Sequence, residues 1–451
     1  MKQILWFRRD LRVKDNPLLS FNGSVLPIFI FDTNILNSLT KDDRRVSFIF
    51  ASVQKLKCEL KAIGLDLKVF YAKPLDVFDT LLQEDFDEAV ATGDYDSYSK
   101  QRDLEVSHKI HFRYIQDTYI FKHNEVLKSD GSPYLVFTPF YKKARALLET
   151  KSLSELSLGK QTLLDAEYES ISFITPTRDT QELAFALKSI GFNEVELEIA
   201  SVEEKLENFQ NKINSYKEQR DFLSSNVTSN LSLELRFGTI GIRELLRFLF
   251  EHRELDIEPV IRQLIFRDFY AYLLFHFPHI ESQNYKYTFN GIEDEKKFRL
   301  FCEAKTGVPI IDAGVQELLQ TGTMHNRVRM VVASFFTKDL LLPWQWGEAF
   351  FAKYLLDYDK ASNVLSWQWS AGTGVDPQPY FRVFNPYLQS KKFDKEGEYI
   401  KKFLPELQHL EAKYLHNEEY LFKQESLNYP KPIIKHKEAA KKAIELFKCS
   451  S

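Results

Sequence analysis

Ile4-Leu5-Trp6-Phe7-Arg8-Arg9-Asp10 opens the chain with four apolar residues that stop dead at three charged ones. Four residues suit a strand, and the run is too short and too sharply ended for a secretion signal. Runs of the same kind recur at 25–31, 67–71 and 89–92, and polar helical stretches such as 42–62 separate them. Strands alternating with helices at this spacing predict a parallel sheet with covering helices over residues 1–130. Asp130-Gly131-Ser132-Pro133, Pro139, Pro176 and a Ser/Leu-rich stretch at 152–158 mark residues 131–200 as an irregular linker with some helix. From Ser201 onward the pattern is helical through 451. Ser201-Val202-Glu203-Glu204 fits a capping box, and Val202, Leu206, Phe209, Ile213 and Tyr216 follow as one apolar stripe. Pro259 and Pro278 bracket another helix, and 324–342 and the stretch after Trp344 read as helical too.

Composition bounds the function. Of 451 residues, 44% are hydrophobic and 27% charged, which excludes wholesale disorder. Cys58, Cys302 and Cys449 are far apart, so they make no disulfide framework and no thiolate metal site, and a cytoplasmic location is expected. No apolar run approaches the ~20 residues that span a bilayer, so no membrane role is expected. The net charge of −4 confines any nucleic-acid surface to a local patch. The chain has 38 Phe and 21 Tyr but only 16 Gly, and neither GxGxxG nor GxxxxGK[ST] occurs. A dinucleotide is therefore not held by the usual glycine turn.

Four clusters could carry chemistry. Trp344/Trp346 and Trp367/Trp369 are i,i+2 pairs, so on a helix one ring of each packs while the other faces a cleft or partner. Gln263, Phe266, Arg267 and Tyr270 share a helix side, a mixture suited to stacking on a base while holding a phosphate, or to an ordinary surface stripe. In the third cluster, 321–330, Asn326 neighbours Met330 and His325 neighbours Arg329. A glycine and two arginines at the helix start suggest an anion or ligand site, while His325 by itself reads as structural. Asp357-Tyr358-Asp359 precedes Asn363. Two carboxylates without further ligands argue against a metal, and an arginine such as Arg329 is a natural partner for one of them.

Taken together, these pieces resemble the photolyase/cryptochrome family, and most closely its class I cyclobutane pyrimidine dimer branch. The motifs run colinearly from Trp6-Phe7-Arg8-Arg9-Asp10-Leu11-Arg12 and Asp15-Asn16-Pro17 through Phe137-Thr138-Pro139-Phe140, 216–222, Thr228-Ser229-Asn230-Leu231-Ser232 and Leu235-Arg236-Phe237-Gly238. They continue with 305–313, 324–330, Trp367-Gln368-Trp369 and Arg382-Val383-Phe384-Asn385-Pro386. The resemblance implies an α/β N-terminal domain with a Rossmann-like parallel sheet plus an all-α C-terminal FAD-binding domain. It assigns the flavin's phosphates and ribityl chain to Tyr216, Thr228, Ser229, Asn230, Leu231 and Ser232. Arg329 and Asp357 become an ion pair beside the ring, Tyr358 and Asp359 further flavin contacts, and Asn363 the residue facing flavin N5. The implied activity is light-driven electron transfer from reduced FAD to a cyclobutane pyrimidine dimer flipped out of DNA. Gln263, Phe266, Arg267, Asn326, Arg327, Met330 and Trp369 then line the lesion pocket, and Arg220, Arg382 and Gln389 touch the strand. The expected partner is dimer-containing DNA, met by a monomer without an obligate protein partner or a bound metal. An antenna pigment, a methenyltetrahydrofolate or a deazaflavin, is implied in or beside the first domain, with its identity left open.

The chain departs from that pattern at three places. Phe266 stands where repair members commonly have Trp, and Gln263 where they have Glu. Trp367 and Trp344 match the inner and middle rings of the photoreduction chain, but the outer position falls near Gly291, with Tyr285, Tyr287, Phe289 and Trp346 as neighbouring rings. Slow or rerouted photoreduction is expected. A signalling cryptochrome and a (6-4) repair enzyme are the alternatives; Asn363 argues against the first and Gln263 favours the second.

Overall fold

The computed structural model describes residues 1–164, 173–174 and 187–449, so Pro176 of the expected linker lies outside the described residues. The first strands form where the sequence places its apolar runs: β1 (Lys2–Phe7), β2 (Gly23–Asp32), β3 (Lys68–Ala72) and β4 (Glu88–Thr92). β1 pairs in parallel with both β2 and β4, and β3 with β2. All five residues of β4 are buried, as are the last five of β1. Burial on both faces is why these strands read as unbroken apolar runs instead of alternating ones. Three further strands, β5 (Phe112–Ile115), β6 (Gln161–Leu163) and β7 (Phe173–Ile174), complete the order β5-β4-β1-β2-β3-β7, with β6 also on β2. α1 (Arg44–Ala62), α2 (Pro74–Leu81) and α3 (Ser97–Ser107) connect them.

The helices that matter below are α4 (Phe137–Leu148), α5 (Val202–Gln210), α6 (Ile213–Gln219), α7 (Ser232–Phe237), α8 (Ile242–Glu251) and α9 (Glu258–His276). They are followed by α10 (Pro309–Thr321), α11 (Asn326–Ser334), α12 (Trp344–Tyr354), α13 (Lys360–Ala371), α14 (Pro386–Phe393) and α15 (His436–Cys449). Ser201 caps α5 by accepting from Glu204 N, as the capping box predicts. The apolar stripe does not lie on one helix, however. The chain breaks at Asn211 and Lys212, and Ile213 starts a second helix. Nor is 324–342 one helix: α11 ends at Ser334 and a π-turn takes up Phe335–Asp339.

The described residues group into two compact units. One holds Met1–Pro133, Phe140–Asn211 and Ser229–Phe275; the other holds Tyr134–Pro139, Lys212–Thr228 and His276–Ser451. This grouping departs from a break at residue 200, because charged residues after β1 tie the sheet to α7 and α8. Arg12 donates to Gly238 O at 3.1 Å and pairs with Asp117 at 2.8 Å, both groups buried. Asp15 takes Arg243 and Arg247, each at 2.8 Å. At Gly238, φ is +68° and an added Cβ would lie 2.0 Å from Arg9 O, so only glycine lets α7 end against this loop. The Arg8–Asp15 motif is thus structural mortar within this unit. Among the described residues, no helix is long and apolar enough to cross a membrane, and no cluster of three or more His, Cys, Asp or Glu could hold a metal.

α9 buries Asp268, whose Oδ2 accepts from Phe121 N at 2.9 Å while Oδ1 has no partner. Burial pushes its pKa up to about 7. The folded state then holds a proton that the unfolded state has lost, so the parent should lose stability relative to Asp268→Asn as pH rises from ~4 to ~7 and change little beyond. Urea midpoints of the two proteins at pH 5 and pH 7.5 check this; identical pH dependence would refute it.

Candidate functional site

In the second unit, α11 begins with a charged cluster. His325 is its N-cap, with Nδ1 accepting from Arg327 N at 3.2 Å. Burial lowers its pKa, so the ring is a neutral cap and not an acid. The next residue, Asn326, has its Nδ2 3.8 Å from the Sδ of Met330, one turn on. Arg327 and Arg329 diverge from here. Arg327 Nη2 donates to Asp221 at 2.5 Å, with its guanidinium 4.4 Å over the Phe393 ring. Arg329 Nε donates to Met324 O at 2.8 Å, and its Nη2 lies 3.1 Å from both Asp357 oxygens. The ion pair expected at Arg329 and Asp357 is formed.

Asp359 caps α13 by accepting from Ser362 N at 3.0 Å, which gives this carboxylate a structural task. Asn363 sits one turn inside α13 and is buried. Its Nδ2 donates to Glu348 Oε1 at 3.0 Å and to Glu348 O at 3.1 Å, while Tyr358 OH donates to the same Oε1 at 3.1 Å. Both amide donors being claimed from one side, the Oδ1 end is the one left to face a ligand. Glu348 was not singled out in the sequence. A lone glutamate in the aromatic stretch Trp344-Gln345-Trp346-Gly347-Glu348 reads as a solvated residue, and nothing local marks its partner.

The tryptophan pairs divide as the i,i+2 spacing predicts. Trp344 and Trp367 are buried; Trp346 and Trp369 are half-buried. Trp367 lies edge-on to Phe336 and Phe351, at ring distances of 5.4 and 4.9 Å, and its Nε1 has no partner. A Cβ on Gly347 would come within 2.2 Å of the Trp367 ring, so α12 approaches α13 through a glycine. Trp344, one turn before Gly347, donates to Asn284 Oδ1 at 2.8 Å. At Gly291, φ is +89° and a Cβ would lie 2.5 Å from Pro343 N. The backbone there leaves no room for an outer tryptophan. Trp346 instead packs on Phe298 at 5.1 Å, and Tyr287 and Phe289 pack on Phe447 at 5.9 and 5.2 Å.

The remaining residues fall in both units. Tyr216 is half-buried under the Arg220 guanidinium at 5.7 Å, and Thr228 is half-buried near the end of its segment. Arg382 is exposed; Gln389 is half-buried, with its Oε1 buried and unpartnered. In the first unit, Asn230 takes φ +53°, and Leu231, the N-cap of α7, makes no side-chain capping bond, with Ser229 and Ser232 on either side of it. Such a helix start offers backbone amides to an anion. On α9, Ile261, Leu264 and Ile265 are buried while Gln263, Phe266, Arg267 and Tyr270 are half-buried, as the periodicity predicts. Arg267 is held within the first unit: its two amino groups donate to Thr118 O at 2.6 Å and Leu235 O at 3.2 Å, and the guanidinium lies over Tyr119. Lys305–Ala313 is likewise structural: buried Asp312 accepts from Thr306 and Gly307 amides and from Tyr429 OH at 2.5 Å.

Each unit by itself holds groups of the types the implied FAD requires. The second has a carbonyl oxygen aimed by a fixed amide and an arginine–carboxylate pair, suited to a flavin ring, and the first has a helix start beside two serines, suited to a phosphate.

Comparison with known proteins points the same way. Residues 3–157 match the family model described as DNA photolyase, and residues 260–449 the one described as FAD binding domain of DNA photolyase. The chain is 32% identical, over an alignment of 474 residues, to a deoxyribodipyrimidine photo-lyase from Alkalihalophilus pseudofirmus, covering 98% of this chain and 97% of the relative. An archaeal photolyase from Sulfolobus tokodaii, solved with two FAD molecules, superposes with a TM-score of 0.83 at 30% identity and covers 100% of both chains. A cryptochrome from Synechocystis sp. superposes with a TM-score of 0.85 at 21% identity over 99% of each chain, a likeness of fold alone.

Gly347→Ala forces a methyl group into the Trp367 ring. It should cost about 1–3 kcal/mol of stability and shift the tryptophan emission. Unchanged unfolding midpoint and emission would show that α12 and α13 do not meet this closely.

Proposed function

This chain belongs to the DNA photolyase family, and on that footing we propose that it is a light-dependent DNA-repair enzyme that splits cyclobutane pyrimidine dimers. The observation that carries the reading is the amide of Asn363, held by Glu348 so that its oxygen is the free end. That oxygen can accept a hydrogen from flavin N5 and favour the reduced cofactor. Reduced FAD, when bound, supplies the electron that light drives into the lesion.

The chain's own residues do the rest. Tyr216, Thr228, Ser229, Asn230, Leu231 and Ser232 hold phosphates and ribityl chain, and Arg329 with Asp357 sits beside the ring. Asn326, Met330, Gln263, Phe266 and Trp369 receive the dimer, with Trp369 stacking on the splayed bases for about 1–3 kcal/mol. Arg220, Arg327, Arg382, Gln389 and Lys391 hold the strand, Arg327 with part of its charge already answered by Asp221. No general base is needed, which agrees with a neutral, capping His325. The functional division proposed is 1–130 for the antenna domain, 131–200 for the linker and 201–451 for the flavin domain. A folate or deazaflavin antenna, a cytoplasmic location and a monomeric state complete the proposal. Gln263 favours a (6-4) lesion as the second reading; a photoreceptor role is the third.

Blue light on the reduced protein mixed with DNA carrying one defined cyclobutane dimer should restore the thymines. Restoration of (6-4) DNA alone would support the second reading, and restoration of neither the third. DNA affinity should fall linearly in log–log form with salt, because cationic side chains displace counterions; salt-indifferent binding would contradict the strand contacts.

A further inference from the structure

We propose that Lys338 is a positioning residue: its buried side chain ties α15 to the carboxyl end of α13, so that these two elements loosen together. The π-turn Phe335–Asp339 follows α11 directly and turns two adjacent charged residues inward. Lys338 is 0% exposed and Asp339 2%. Lys338 Nζ lies 3.6 Å from the centre of the Phe447 ring on α15 and 3.4 Å from Tyr380 O. A Cβ built on Gly372, the left-handed cap that ends α13, would stand 3.2 Å from the same nitrogen. The carboxyl end of a helix carries partial negative charge and a ring face attracts a cation, so these two neighbours offset part of the cost of burying the ammonium, while the packed stem of the side chain does the tying. Asp339 Oδ1 meets His436 Nδ1 at 2.5 Å, at the opposite end of α15. Two consecutive residues thus grip one helix near both of its ends.

Lys338 has no carboxylate partner among the described residues, and burial is the cause that pulls its pKa down to about 7. Released into water it would titrate near 10.4. The released form therefore holds one more proton between these limits. Opening is easiest below pH ~7 and becomes harder, by up to about tenfold per pH unit, as pH rises above it. The titratable and charged groups around this turn and the Phe447 ring are Asp339, His436, Glu418, Tyr387, Tyr380 and Tyr287. Burial raises Asp339 to about 6, so its own contribution changes below that pH. All six remain when Lys338 alone is replaced, so their effects cancel in the comparison.

α13 carries Asn363, Trp367 and Trp369. The consequence for repair rests on the proposed function, but the tie itself does not. The test is hydrogen exchange of the full chain, followed by mass spectrometry from pH 6.5 to 9.5 and corrected for intrinsic rates. In the parent, protection of α15 and of the last turn of α13 should rise together above pH ~7. In Lys338→Met, which keeps the length and removes the charge, that rise should vanish from both segments. A parent without the rise, or a Met variant that keeps it, overturns the proposal. Phe447→Leu guards against a misfolded Met variant. Losing the ring face lowers the lysine's proton affinity further, so the rise should begin at lower pH; an unmoved onset also overturns the proposal. Exchange reads the polypeptide and not repair, so a failed repair assay leaves this test intact.

Discussion

The closeness of α12 to α13 at Gly347 is the constraint on which the site depends. No side chain larger than hydrogen fits between the α12 backbone and the Trp367 ring. The residue after that glycine is Glu348, and the residue one turn before Trp367 is Asn363. Bringing the helices together at one point therefore brings a carboxylate onto an amide at the next. The amide loses its rotational choice, because both donors are taken by Glu348. A site that must present an oxygen needs this kind of support, since an unsupported Asn could turn its NH₂ the other way. Packing and polarity are here one device.

The same logic separates residues that shape the site from residues that only look chemical. His325, Asp359 and Asp312 each carry an ionisable group in a motif of interest, and each is spent on backbone amides. Arg267 donates to carbonyls. On α11, on α13 and in the segment before α13, the groups left for ligand work are the Arg329–Asp357 pair, the Asn363 amide, exposed Asn326 with Met330, and the half-buried Trp369. Gly291 adds a constraint of another sort. Its crowded backbone rules out a ring at that place.

Much of this was legible beforehand. Strands buried on both faces announce themselves as apolar runs, so β1 to β4 stand where the sequence places them. β5, half-exposed at the sheet edge, and the three-residue β6 lack that signal. The buried side of α9 was legible because Ile261, Leu264 and Ile265 keep helical spacing. Two long helices were over-read for a physical reason. A 3.6-residue stripe survives a local change of direction, so neither the break at Asn211–Lys212 nor the π-turn after Ser334 disturbs the apolar pattern. Glu348 was invisible for the opposite reason: its meaning comes wholly from a partner fifteen residues away, across a helix contact made possible by glycine.

The claim that Glu348 acts through Asn363 is tested most directly by a double-mutant cycle read on the midpoint potential of the bound flavin. Glu348→Gln and Asn363→Ala should each lower the potential, and the double variant should fall no further than Asn363→Ala alone. Two losses that simply add would mean that the carboxylate and the amide work independently, and the account of how this site is aimed would be wrong.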